Sequence, residues 1–171
     1  MAKAVFCFAR TFEQAEHIIE ALKLDGFSTD DISVLLPDRA GTRDFAHEKG
    51  TKAPEGAATG AGAGGLLGGA LGWLSGVGAL AIPGLGPFIA AGPILAALGG
   101  AAVGAAVGGF TGAIVGMGIP EYEARLYEGK LRDGNILISV HTESRDERGR
   151  AEAIFTQAHA ESISSAAEAS V

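Results

Sequence analysis

A chain of 171 residues with a net charge of -7 and a pI near 5.0 has the length of a single domain and lacks the basic excess that phosphate backbones require. Nucleic acid is therefore not an expected partner. A single cysteine, Cys7, excludes an internal disulfide and any zinc site built on a cysteine pair.

Ala4 to Ala9 reads as a strand, apolar throughout, with Cys7 inside it and no charge beside the thiol. The amino terminus before it lacks the basic region, long apolar core and cleavage site of a secretory signal, so the flanking domain is expected in the cytoplasm. Thr11 with Gln14 forms a capping-box pair opening a helix, and Phe12, Ala15, Ile19 and Leu22 recur at helical spacing. Asp25-Gly26 stops the helix, with Gly26 suited to a left-handed cap and Phe27 folding back on the last turn. Ile32 to Leu36, closed by Pro37, is a second strand. The connector 38–55 mixes Arg39, Arg43, Lys49 and Lys52 with Asp38, Asp44, Glu48 and Glu55, the pattern of a solvated loop.

From Gly56 to Pro120 there is no Asp, Glu, Lys, Arg or His, and this interval holds 21 of the 27 glycines. Gly60, Gly64, Gly68, Gly72 and Gly76 repeat at a spacing of four, as do Gly100, Gly104, Gly108, Gly112 and Gly116. On a helix each set forms one stripe where a second backbone can approach closely. The sets mirror each other about Phe88, so an antiparallel helical hairpin is expected, with Gly60 beside Gly116 and Gly76 beside Gly100. Its helices run from Ala57 to Ala81 and from Ile94 to Met117, about 35 Å each. Pro83, Gly84, Gly86 and Pro87 mark the turn between Ile82 and Phe88. Leu66, Leu67, Leu71, Trp73, Leu74, Val103, Val107, Phe110 and Ile114 load the segment with more large apolar side chains than a flexible linker carries.

Glu121 to Arg132 then reads as a helix led by Pro120, with Tyr122, Leu126 and Tyr127 as candidates for its inward face. Asp133-Gly134-Asn135 turns the chain, and Ile136 to Val140 is apolar as a strand covered on both faces would be. Ser144 and Glu147 form a second capping box, leading a helix whose buried stripe is Ala151, Ile154, Phe155 and Ala158. Ile163 starts a candidate last strand. The order is α+β, a ferredoxin-like sandwich interrupted by a long Gly/Ala-rich hairpin. Residues 1–55 and 120–171 supply its two halves and 56–119 the insert.

Catalytic chemistry has little support. His17, His47, His141 and His159 share no metal-binding spacing, and Asp30-Asp31 and Glu121 with Glu123 sit where negative charge favours element starts. Gly60-Ala61-Gly62-Ala63-Gly64-Gly65 resembles a phosphate loop only in its first glycines, with no strand before it and no lysine-serine pair after it. No catalytic residue, cofactor, metal or small-molecule substrate is indicated. The expected partner is the protein itself, through the ten glycines named above.

Two settings fit the hairpin. Each half is long enough to span a bilayer, and Lys49, Lys52, Arg125 and Lys130 flank the insert while its turn carries no charge, as the positive-inside rule requires. Glycine, however, costs about 1 kcal/mol per residue against alanine in a helix, and Trp73 lies mid-helix rather than at an interface. The same hairpin could equally be buried between copies in a soluble cytoplasmic ring, shell or filament.

Lys49-Gly50-Thr51-Lys52-Ala53-Pro54-Glu55-Gly56-Ala57-Ala58, entering the insert, and Gly118-Ile119-Pro120-Glu121-Tyr122-Glu123-Ala124-Arg125, leaving it, resemble a group of small bacterial proteins described as general-stress-protein-like. The resemblance covers nearly the whole chain and implies an α/β domain interrupted by a glycine-zipper hairpin, without an assigned activity. More distantly, the layout resembles the small two-span subunit of the quinol-oxidising alternative complex III, from which no cofactor-binding residue carries over. The expectation is a non-enzymatic, self-associating, stress-related protein of the bacterial inner membrane, contacting lipid through its hairpin. The alternatives are a soluble homo-oligomer and an accessory subunit of a respiratory complex.

Overall fold

The computed structural model describes residues 3–37, 78–82, 86–92, 110–112, 114–116 and 119–167. The elements are β1 (Lys3–Ala9), α1 (Phe12–Leu24), a short 3-10 turn (Thr29–Asp31), β2 (Ile32–Pro37), β3 (Gly78–Ile82), β4 (Gly86–Ala91), α2 (Glu121–Arg132), β5 (Ile136–Thr142), α3 (Arg145–Gln157) and β6 (Glu161–Ala167). Residues 110–112 and 114–116 are also helical. The protein is α+β: its helices cover a six-stranded sheet of order β3-β4-β2-β5-β1-β6, every pairing antiparallel.

Strand composition decides the layering. In β1, Val5, Cys7 and Ala9 enter one cluster with Ala15, Ile18, Ile19 and Leu22 of α1 and Ala151 and Phe155 of α3. The alternate residues Ala4, Phe6 and Phe8 enter a second cluster on the other face. There they meet Ala124, Tyr127 and Leu131 of α2, together with Phe110, Ile114 and Ile119. Because successive side chains point to opposite faces, a strand with no polar interruption must be covered on both. β5 obeys the same rule, giving Ile136, Ile138 and Val140 to the first cluster and Leu137 to the second.

The helix ends follow the sequence signals, except that at α1 the expected capping box is half made, Gln14 Oε1 accepting from Arg10 N–H instead of Thr11 N–H. Thr11 accepts a hydrogen bond from Gln14 N–H, and Ser144 with Glu147 forms a complete capping box. Gly26 is left-handed at φ 95°, and Phe27 N–H bonds back to Leu22 O at 3.0 Å. Gly134, at φ 89°, ends α2 in the same way.

Three expectations are corrected. Residues 78–81, read as the end of a helix, form β3, and Phe88, read as the mirror point of the hairpin, is buried in β4 opposite Leu80. The turn is centred four residues earlier, midway between the paired Ile82 and Gly86. β2 would otherwise be an edge, and pairing with β4 satisfies its backbone groups, which outweighs the weak helical preference of a glycine-rich segment. Second, of the three residues expected on the inward face of α2 only Tyr127 is buried, together with Ala124 and Leu131, while Tyr122 is 80% exposed and Leu126 43%. Third, Phe12 is exposed, and Ile18 completes the inward stripe of α1 in its place. The connector 38–55, the remainder of both expected hairpin helices, and Gly60, Gly64, Gly68, Gly72, Gly76, Gly100, Gly104 and Gly108 lie outside the described residues.

Candidate functional site

An open groove of about 590 Å³ lies between the helical residues 110–112 and 114–116 and α2. Thr111, Gly112 and Val115 form one wall, and Glu121, Arg125, Glu128, Gly129 and Arg132 the other. Two of these positions are glycines, and a Cβ built at Gly129 would meet nothing within 4 Å. The charges are matched along α2 at a spacing of four. Arg125 Nη2 donates to Glu121 Oε1 at 2.6 Å, and Arg132 Nη2 to Glu128 Oε1 at 2.6 Å. Thr111 donates its hydroxyl to the other oxygen of Glu128. The groove thus sums to no net charge, and both of its arginines already hold a carboxylate. With its charges paired, the groove offers no free cation among the described residues to capture an anion, and its glycines Gly112 and Gly129 leave room between the paired side chains.

A second polar cluster ties the start of β6 to the rest of the domain. Glu161 receives Lys130 Nζ at 2.6 Å and Arg10 on its other oxygen. Lys130 also lies 5.9 Å from the centre of the Phe8 ring. Hydrogen bonds from Lys130 hold the Glu161 carboxyl below its usual range, with Arg10 adding to the shift. Nearby, Tyr127 hydrogen-bonds Ser164 through its hydroxyl and meets the edge of Phe8 at 5.0 Å. Burial raises the Tyr127 phenol, which therefore stays protonated.

Of the ten stripe glycines, two fall among the described residues. Gly112 lines the groove, whereas a Cβ at Gly116 would meet nothing within 4 Å. His17 is exposed on α1, His141 lies in β5 and His159 caps α3, so these histidines stand on separate elements. Burial pushes the Cys7 thiol far above its ordinary range, leaving it unreactive. Among the described residues, no group of three His, Cys, Asp or Glu could hold a metal ion, and no helix is long and apolar enough to cross a membrane.

Sequence reasoning missed Gln14 as a bridge. Its side-chain amide donates to the carbonyls of Ala158 and His159, each at 2.9 Å, locking the start of α1 to the end of α3. It also missed Gly92, whose φ of 82° lets it pass close to β2. The Gly92-Pro93 pair is the sequence signal for such a turn. No family model matches the chain, and neither a curated protein nor a solved structure matches it.

Proposed function

We propose that the protein is a non-enzymatic, self-associating bacterial protein in which the α+β domain carries the charge-free, glycine-spaced segments as contact surfaces. The observation that carries this reading is the register of the β3–β4 hairpin. Gly78 pairs with Ala90, Leu80 with Phe88 and Ile82 with Gly86. Reflected in sequence about the same centre, Gly68 matches Gly100, Gly64 matches Gly104, Gly60 matches Gly108 and Gly56 matches Gly112. Segments joined to the same end of a hairpin with glycine matched to glycine support the close packing that small residues at every fourth position permit.

The strand order β2-β5-β1-β6, with α1 and α3 on one face, supports the ferredoxin-like reading of the domain. β3, β4 and α2 are additions to that plan. The boundary motifs that resemble general-stress-protein-like sequences support a role in stress.

Between a membrane anchor and a soluble assembly, the chain path favours the assembly. β4 and Phe110 belong to one domain, and only 17 residues separate Gly92 from Phe110. As a helix they reach about 26 Å, which does not cross an apolar layer of about 30 Å and return. Charge-free length and the flanking lysines and arginines support the inner-membrane alternative, with the domain in the cytoplasm.

Fractionation followed by sizing tests the proposal. Large particles in detergent-free soluble extract are expected. Release from membranes only by detergent would overturn the soluble form, and a monomer in both settings would overturn self-association. Gly68→Leu combined with Gly100→Leu is expected to dissociate the particle, and an unchanged size would remove the stripes as the contact.

A further inference from the structure

We infer that the outer edge of β3 is a pairing surface for a second copy of this chain, added antiparallel about Leu80. This rests on the self-association reading and names a contact for it.

Two prolines fix which backbone groups of β3 point outward. In an antiparallel ladder, facing residues alternate between pairs that exchange both N–H···O bonds and pairs that exchange none. Pro87 has no N–H, so its pair with Ala81 is of the second kind. Pro37 opposite Phe88 on the other side of β4 is subject to the same limit, and this gives the same phase independently. Gly78, Leu80 and Ile82 therefore bond inward to β4, while the N–H and C=O of Ala79 and Ala81 face away from it. Among the described residues β3 ends the sheet, and nothing pairs with that side.

The two edges of the sheet differ. β6, at the far end, opens on Glu161 with Arg10 and Lys130 bound to it. It is further broken by a register shift between Phe6 and Phe8, with Ser162 at φ 49°. Charge and a bulge are the usual guards of an exposed edge. β3 has neither, and the nearest charged residues in sequence are Glu55 and Glu121.

A second copy fits this edge because the strand is self-complementary. With the two Leu80 residues facing each other, Ala79 N–H reaches the copy's Ala81 C=O, and the copy's Ala81 N–H returns to Ala79 C=O. Symmetry repeats this pair on the other side of Leu80. All outward groups are satisfied, no charge loses water, and both strands have the same length.

Sedimentation velocity of the full chain over a concentration series tests the contact. Ala79→Pro and Ala81→Pro each delete an outward N–H and leave the bonds to β4 in place, so each is expected to weaken association about tenfold or more. Ala79→Val keeps the N–H and should associate as the parent does. Amide exchange on the unaltered protein gives a second measurement should the proline variants misfold: Ala79 and Ala81 should be protected in the associated state and become fast on dilution. Unchanged association in both proline variants, or fast exchange of these amides in the associated protein, would overturn the β3 contact and leave self-association standing. A monomer at every concentration would overturn both.

Discussion

At the scale of single residues, Gln14, Gly92 and His159 carry more than their sequence context suggests. Gln14 Oε1 accepts from Arg10 N–H at 2.8 Å while its amide serves two carbonyls at the end of α3. Gln14→Glu keeps the shape but replaces the donor with a carboxylate facing those carbonyls. A loss of about 1–3 kcal/mol is expected, read as a lower urea midpoint with an unchanged slope. A Cβ at Gly92 would sit 2.2 Å from Ile32 O and 2.9 Å from Ser33 Cα, in a backbone conformation that side chains disfavour. Gly92→Ala should cost at least about 2 kcal/mol in the same measurement and disturb β2 next to β4. His159 occupies the left-handed cap of α3 at φ 55°, where Ala160 N–H bonds to Phe155 O at 2.9 Å. His159→Gly removes the steric cost of that conformation and should stabilise the protein by about 0.5–1 kcal/mol.

At the scale of elements, β6 depends on its ties to α2 and to Arg10. Glu161 has its carboxyl lowered by Lys130 and Arg10, so the folded state favours the ionised form. Its contribution is fully present above the ordinary glutamate value of 4.5 and is lost as pH falls through the lower folded value. Glu161→Gln should therefore flatten the acid limb of a stability profile followed by thermal melting, with exchange of β6 amides rising most. A profile that keeps its acid limb would assign the dependence to other carboxylates. Most element types outside the insert were legible from a local signal, a capping box, a left-handed glycine or an apolar run; β6, polar in Glu161-Ser162 and Ser164-Ser165, has none, and it begins two residues before the expected Ile163. The phase of α2 was not legible. Tyr122 with Leu126 and Ala124 with Tyr127 and Leu131 are both helical stripes, and periodicity alone does not choose between them. Tyr127 enters because its ring finds Phe6 and Phe8 and its hydroxyl finds Ser164.

At the scale of the whole molecule, the charge-free interval is partly absorbed into the domain. β3 and β4 extend the sheet beyond β2, and Phe88, Phe110, Ile114 and Ile119 fill its second face. Truncation is a direct check. Deleting residues 56–118 should expose Phe6, Phe8 and Leu35 and leave a protein that binds a hydrophobic dye, whereas an insert independent of the domain would leave a compact core. The groove beside α2 was not legible in sequence, since Thr111 and Glu128 meet only across two helices. By itself the sequence determined the α+β class, the cap positions, the two-sided burial of β5 and the mirrored glycine spacing, all set by neighbours along the chain. Only the tertiary structure decided that the middle of the insert is strand, which face of α2 turns inward, and where the mirror is centred. An unpaired β2 edge and the aromatic rings of β1 outweigh what a glycine-rich segment or one helical stripe prefers locally.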